Sequence, residues 1–393
     1  MRNDWKYLPL GDIVEIKRGL TYSKNDEVVT SEKIVLRSNN VNLDNHQFDF
    51  TELKYLKPSF DIPADKYLQK GDLLMCMSNG SKAHLGKVAL YEGDSNRYAF
   101  GGFMAALSHK DSVIGKYLFY AMTTPMYKEY IKALSDGANI NNLKVRDIEA
   151  FTIPVPPLSE QERIVSQLDE QFAKIDALKA NAASQLQAAK DLFQSALKQL
   201  LTPQKGWEEK KLGEVSTIIG GSTPKTNDSS NWGGNNNWVT PAELNGEKYY
   251  GKTKRTISDK AAKGMQLLPI GTVLLSSRAP IGKVAITTEP MYCNQGFKNI
   301  VCSNVLYNEY VYWYILFSVP QLEALGVGAT FKELSKSRTE EFPISFPSLP
   351  EQERITARLD TISEKVKALQ ANYDQTITLC NDLKQSLLKS IFA

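Results

Sequence analysis

The sequence predicts an α+β protein: two duplicated α/β domains joined by two long helices that form an antiparallel coiled coil. Three observations carry this. A 24-residue segment beginning at Leu158 (LSEQERIVSQLDEQFAKIDALKAN) returns at Leu349 (LPEQERITARLDTISEKVKALQAN), 191 residues later, without a gap and with 13 identities. A repeat at that interval is a tandem duplication, too long in period for a solenoid. Each copy follows a stretch rich in turn and strand signals and opens a run free of Gly and of interior Pro, with apolar residues at helical spacing. The expected boundaries are a first domain over 1–157, a helix over 158–201, a second domain over 202–348 and a second helix over 349–393.

The composition agrees. The chain has 393 residues, 42% hydrophobic and 23% charged, an ordinary globular balance. At about 150 residues per domain, two or three domains fit. The formal net charge is +3, from 47 basic and 44 acidic residues, which excludes a histone-like polycation. Cys76, Cys293, Cys302 and Cys380 form no CxxC pair, arguing against a zinc site or a disulfide framework. The N-terminus lacks an apolar signal core and no stretch approaches about 20 apolar residues, so a cytoplasmic chain with no membrane contact is expected.

The elements follow in order. Trp5 and LPLGDIVEIKRG are answered by Trp207 and KKLGEVSTIIGG, 202 residues on, so the second copy is 11 residues shorter between these landmarks. Lys70–Met75 and Pro269–Leu275 read as a turn leading into a strand, with return strands over Gly86–Tyr91 and Gly282–Thr287. Polar loops join them, Ser78–Lys82 in one copy and Ser276–Pro280 in the other. Gly86-Lys87-Val88-Ala89 matches Gly282-Lys283-Val284-Ala285, Gly102-Phe103 matches Gly296-Phe297, and Gly137-Ala138 matches Gly328-Ala329. A Gly/Asn-rich loop runs from Gly220 to Trp238. Tyr117–Ala133 and Tyr307–Leu322 read as shorter helices.

Pro156-Pro157-Leu158-Ser159 stops an extended segment and starts a helix, with Ser159 as cap and Glu162 three residues on. Pro350 suits the first turn of the second helix. The seam of the second helix runs Ile355, Leu359, Ile362, Val366, Leu369, Tyr373, alternating spacings of four and three, then Ile377, Cys380, Leu387 and Ile391. That of the first runs Ile164, Leu168, Phe172 or Ile175, Leu178, then Leu186, Ala189, Phe193, Ala196 and Leu200. Leu158–Leu201 would be about 65 Å long at 1.5 Å per residue. A lone helix of that length would leave its seam wet, so the two copies are expected to pack on each other.

No phosphate loop, dinucleotide fingerprint, methyltransferase Asn-Pro-Pro-aromatic motif, HExxH or nucleophile elbow is present. His84 lies in a polar loop whose counterpart has no histidine, so a solvated or DNA-contacting role is expected over a catalytic base. The cysteines read as small apolar groups. No constellation recurs in both halves, and a chain without catalysis or metal of its own is expected.

Two copies of a globular domain, a P-x-L-x-E-Q-E-R-I segment and a long helix resemble the specificity subunit of type I restriction-modification systems. The resemblance rests on Ile153–Ile164 and Phe346–Ile355, with support from Gly220–Pro224, Trp232-Gly233-Gly234, Gly282–Ala285 and Asn294–Phe297. The opening Lys17–Tyr22 of the first copy departs from the Gly-Gly-x-x-Pro form. The resemblance implies that each domain is a target-recognition domain reading one half of a bipartite double-stranded DNA site. It implies that the helices form a spacer that docks two modification (methyltransferase) subunits. It also places S-adenosylmethionine on those subunits, and ATP with Mg on added restriction subunits, with no cofactor on this chain.

Duplicated readers on a rod suit two half-sites about one DNA turn, or ~34 Å, apart. The slight basic excess falls in the proposed readers, +1 over 1–158 and +3 over 202–349, against −1 and 0 for the helices. Base reading calls for Arg, Asn or Gln, and phosphate positioning for Lys, Ser and Thr. In the second domain Arg278, Asn294 and Gln295 are the candidate base readers, with Lys225, Ser276 and Lys332 on phosphates. In the first the candidates are Arg37, Asn39, Asn40, Asn79 and Lys82, although Asn39-Asn40 and Asn79-Gly80 are also strong turn formers. Glu160, Gln161, Glu162, Arg163 and Glu351, Gln352, Glu353, Arg354 are candidates for subunit docking or for locking domain to helix. The unequal domain lengths predict an asymmetric target. A coiled-coil adaptor that never reads DNA, and a stand-alone nuclease or methyltransferase, are the alternatives.

Overall fold

The computed structural model of the chain describes residues 5–136, 142–278, 280–328 and 332–392. Gly137, Ala138 and Ala329 of the matched pairs lie outside them. The chain divides into two compact units, Met1–Ala182 with Asp374–Ala393, and Ala183–Tyr373.

The duplicated landmarks build the same sheet twice. In the first unit four antiparallel strands run in the order Val14–Arg18, Met104–His109, Leu73–Cys76, Val88–Leu90. In the second the order is Ser216–Gly220, Lys298–Cys302, Val273–Ser277, Ile281–Thr287, with Tyr249–Tyr250 added in parallel at the edge. The strands are short apolar runs because both faces are covered: Leu73, Met75 and Leu107 join one core, Leu74, Cys76 and Ala106 another. A smaller sheet carrying one parallel pair packs beside each, Lys33–Leu36 with Tyr98–Phe100 and Trp232–Val239 with Tyr292–Cys293. The expected Gly/Asn-rich loop is thus partly strand. Trp232 and Asn236 both oppose Ile257, and the residues between them bulge out.

Each domain is closed by pairing its entry strand with its exit strand, Lys6–Pro9 with Thr152–Val155 and Glu208–Lys211 with Pro343–Phe346. The expected short helices are each broken in two. Gly115–Ala121 and Pro125–Asp136 are separated because Pro125 cannot continue a helix and Thr124 Oγ1 instead accepts from the Tyr127 N–H at 3.1 Å. Asn308–Phe317 gives way to Val319–Leu325 at Ser318, just before Pro320.

The exit strands run into helices of 44 residues, Leu158–Leu201 and Leu349–Phe392. Their pairing is antiparallel within each unit. In the first, Lys384 bonds Asp176 at 2.6 Å and Lys179 bonds Asn381 at 3.1 Å, while Ile164 and Leu168 share a core with Leu388 and Phe392. In the second, Leu197 and Leu201 share a core with Ile355 and Leu359. The seam is less regular than its spacing predicts. Leu178 and Leu369 are exposed, and at the C-terminal end Leu388 and Phe392 are buried more fully than Leu387 and Ile391. Among the described residues no helix is long and apolar enough to cross a membrane.

Candidate nucleic-acid interface

In the first domain four chain segments meet at the edge of the sheets around a cleft of about 620 Å³, lined among others by Tyr22, Arg37, Asn39, Asn79 and Phe103. The turn after strand Lys33–Leu36 carries Arg37 and Asn39 into it. Arg37 Nε is buried there with no protein partner, and Asn39 is exposed. Asn79 Nδ2 donates to Ser38 Oγ at 2.8 Å and its Oδ1 accepts from Ser81 N–H at 2.9 Å, tying the second loop to the turn. Lys82 is exposed nearby, 3.6 Å from Asp136.

Asn40 has a different job from base reading. Its side chain is buried, accepts from the Arg37 N–H and donates to the carbonyls of Asp49 and Glu52 at 2.8 and 2.9 Å, so it shapes the turn. Ser276 is corrected in the same way. It is fully buried, its hydroxyl donating to Pro280 O and accepting from Lys283 N–H, out of a phosphate's reach.

In the second domain Arg278 and Lys298 both approach Glu333 at 3.6 Å, with exposed Lys332 next in sequence. Arg278 therefore has an acidic partner to leave before it can meet a base. Asn294 Oδ1 accepts from Gly296 N–H at 2.9 Å, closing a local turn. Gln295 is exposed and accepts from Thr223 Oγ1, joining that turn to the loop of exposed Lys225. Arg255, missed in the sequence, lies over Trp232 and Trp238 with its guanidinium carbon 5.0 and 4.8 Å from their ring centres.

The Gly-Phe match is out of register by one residue. Met104 pairs with Cys76 and Phe297 bridges Ser276, so Phe297 stands where Met104 does. Phe297 is buried, whereas Phe103 is 71% exposed in the cleft. The Gly-Lys-Val-Ala match holds in register, Val88 facing Met75 and Val284 facing Leu275. Its glycines have φ of +71° and +97°, and an added Cβ would stand 2.7 Å from Ile131 Cγ1 at Gly86 and 2.6 Å from Val319 Cγ1 at Gly282. Gly86→Ala or Gly282→Ala should each cost about 2–3 kcal/mol, from backbone strain plus overpacking, read as a lower urea midpoint.

The repeated Glu-Gln-Glu-Arg segment resolves into two functions. Gln161 and Gln352 are fully buried and are not docking residues. Gln161 accepts from Ile114 N–H at 2.9 Å and donates to Ser112 O and Pro156 O at 3.0 and 2.8 Å. Gln352 repeats this with Tyr307 N–H, Val305 O and Pro347 O, at 2.8, 2.9 and 2.9 Å. Each locks the start of a long helix to its own domain. The rest stays at the surface: Glu160 pairs with Arg163 and Glu351 with Arg354, in bidentate pairs at 2.6–2.7 Å, beside exposed Glu162 and Glu353. A second lock was missed in the sequence, although its Leu-Asp pair recurs there. Asp169 accepts from Tyr120 and pairs with Lys116 at 2.9 Å, and Asp360 accepts from Trp313 Nε1 at 2.9 Å and from Lys248 at 2.7 Å.

Burial pushes the thiols of Cys293 and Cys302 up to about 12 and raises that of Cys76, so at neutral pH all three stay protonated and unreactive, Cys76 and Cys293 inside the core and half-buried Cys302 against it. Burial also lowers His46, keeping its imidazole neutral. Among the described residues no group of three or more His, Cys, Asp or Glu could hold a metal ion.

Comparison with known proteins gives one family. The type I restriction modification DNA specificity domain matches twice, over residues 2–188 and 204–379. The MjaIX specificity subunit of Methanocaldococcus jannaschii is 37% identical over 171 residues, 42% of this chain and 39% of that protein, so the match spans about two fifths of that relative. The putative MjaX specificity subunit of the same organism is 26% identical over 95% of this chain and 90% of its own length. The EcoKI specificity subunit of Escherichia coli K12 is 30% identical over 49% of this chain and 41% of that one. Two solved chains share the fold. One comes from a study of the assembly and conformational transition of the type I R-M system (TM-score 0.80, 21% identity, 98% of this chain and 96% of that one). The other is the HsdS subunit of Thermoanaerobacter tengcongensis (TM-score 0.62, 20% identity, 99% and 96%). With two matched domains on a repeated sheet and a repeated helix lock, this chain belongs to the family of type I restriction-modification specificity subunits.

Proposed function

We propose that each domain reads one half of a bipartite, asymmetric DNA site, and that the two long helices set the gap and dock two methyltransferase subunits. Restriction subunits complete the assembly. The chain itself supplies recognition and no catalytic step, and S-adenosylmethionine, ATP and Mg act on its partners. One observation carries this reading: sheet, closing strand pair and glutamine lock are the same in both halves, while the loops at the sheet edge differ in length and chemistry. Constant scaffolds with diverged polar loops are what two readers of different sequences require. Arg37, Asn39, Asn79 and Lys82 in one domain, and Lys225, Arg278, Asn294, Gln295 and Lys332 in the other, are the side chains offered to DNA. Exposed Leu178, Leu192, Leu369, Leu379 and Leu383 on the long helices, with the Glu160–Arg163 and Glu351–Arg354 pairs, support docking there.

The test is the methylome of a host carrying this gene with its partner methyltransferase gene, against a deletion of this gene alone. Loss of one gapped, two-part, asymmetric adenine-methylation motif is the expected result. An unchanged methylome with both genes expressed would favour an adaptor without DNA reading, and a palindromic motif would overturn the asymmetry.

A further inference from the structure

The turn that follows the central strand of the smaller sheet shares no residue between the two domains: Arg37-Ser38-Asn39-Asn40-Val41 in one, Thr240-Pro241-Ala242-Glu243-Leu244 in the other. It is nonetheless built the same way twice. Its first N–H is capped by its fourth side chain, Arg37 N–H on Asn40 Oδ1 at 2.9 Å and Thr240 N–H on Glu243 Oε1 at 3.0 Å. Its second and fifth carbonyls are held by one lysine. Lys87 Nζ donates to Ser38 O and Val41 O at 2.7 and 2.6 Å, and Lys283 Nζ to Pro241 O and Leu244 O, both at 3.1 Å. These are the lysines of the two Gly-Lys-Val-Ala quartets.

Burying an ammonium costs far more than burying an apolar side chain of its size, so packing alone does not call for lysine there. Lys87 is 6% exposed, and burial lowers its pKa. What the lysine provides is a fixed turn whose shape does not depend on the side chains it displays. The displayed residues differ in kind: Arg37 lines the cleft with its Nε unpartnered, and Asn39 and Ala242 are exposed at the two tips.

We propose that this lysine-held turn is the base-reading element of both domains, with Lys87 and Lys283 as positioning residues and the turn's tip as the exchangeable specificity surface. The proposal rests on the reading of the two domains as DNA readers and names where that reading is done. A guanidinium and an amide in the first turn suit the major-groove edges of purines, guanine for Arg37 and adenine for Asn39. The Pro241-Ala242 tip suits the 5-methyl group of thymine.

The test uses the full chain assembled with its methyltransferase subunits, methylating a library of the cognate site and all its single-base variants. Arg37→Ala and Asn39→Ala should each lower discrimination by about tenfold or more at one or two neighbouring base pairs of one half-site. Ala242→Asn should change the other half-site alone. Lys87→Met should lower discrimination at the base pairs affected by Arg37→Ala and Asn39→Ala, without touching DNA itself. A lysine with a merely structural role would instead lower methylation of every site by one common factor, which would overturn the positioning role. Should Lys87→Met fail to fold, the three tip variants, which remove no buried hydrogen bond, decide the matter. Unchanged discrimination in all three active complexes would overturn the reading turn. A wild-type complex that methylates no gapped site would remove the DNA-reading assignment itself, and that control separates the two failures.

Discussion

Gln161→Ala is expected to destabilise the unit of residues 1–182 and 374–393 by about 3–5 kcal/mol, and Gln352→Ala to do the same to residues 183–373. Each glutamine is fully buried and makes three hydrogen bonds to backbone that is not otherwise helical or sheet-paired at those atoms. Removing it strands one N–H and two carbonyls, and a buried polar group left without a partner costs about 1–3 kcal/mol. Water entering the vacated space recovers part of that, which sets the range. Gln161→Glu separates shape from bonding. A carboxylate still accepts from Ile114 N–H, but it faces Ser112 O and Pro156 O with lone pairs where the amide had protons. It should therefore be nearly as damaging as alanine. Arg163→Ala two positions on is the contrast. Its pair with Glu160 is largely exposed, with the Arg163 side chain 64% accessible, and a pair screened by solvent in this way adds little to stability. Urea denaturation followed by hydrogen exchange checks both points. A loss of protection in the mutated unit alone is expected, and equal losses for Gln161→Ala and Arg163→Ala would refute the lock.

That contrast also shows how far the sequence could be read. The helices were legible because their signal is local: proline at the start, no interior breaker, apolar residues every three or four positions. The duplication exposed the matched sheet strands for the same reason. The recurrence of Gln161 marks it as a docking or locking candidate, but its burial is not legible, because a glutamine between two glutamates carries no apolar signal. Its burial comes from Ser112 and Ile114, some 50 residues away, whose free backbone groups leave no trace in composition. The match of Gly102-Phe103 to Gly296-Phe297 failed for a different reason. Letters can coincide one residue out of register, and in a strand that slip sends a side chain to the opposite face. Phe103 went to the cleft and Phe297 to the core. The candidate site fared worst. Arg37 and Asn39 stand out for their chemistry, but the turn that holds them has a twin in Thr240–Leu244 that shares no letter with it. Only the lysines that hold their carbonyls, Lys87 and Lys283, mark the two as equivalent.

Phe392→Ala is expected to destabilise the first unit by about 3–4 kcal/mol while leaving the second unchanged, although the helix that carries Phe392 begins in the second. Phe392 is 2% exposed, lies 5.0 Å from the ring centre of Tyr117, and shares its core with Ile164, Leu168 and Leu388. Phenylalanine-to-alanine changes in a core cost about 3–5 kcal/mol, and a position within the last turn of a helix, where the backbone can relax, belongs at the lower end. The direction follows from antiparallel packing: residues near the start of the first long helix can bury their apolar face only under the end of the second. The first domain is therefore completed by the last residues of the chain, across more than 200 intervening positions, and such non-local closure makes folding slow and interdependent. Deleting residues 385–393 should accordingly strip Leu388 and Phe392 from that core and abolish recognition of the half-site that we propose the first domain reads, without touching a loop of that domain. Hydrogen exchange on Phe392→Ala distinguishes the outcomes. Protection should fall in the strands Leu73–Cys76 and Met104–His109, whose side chains line the same core. A loss confined to the final helical turn would mean that Phe392 caps a frayed end instead of filling the interior.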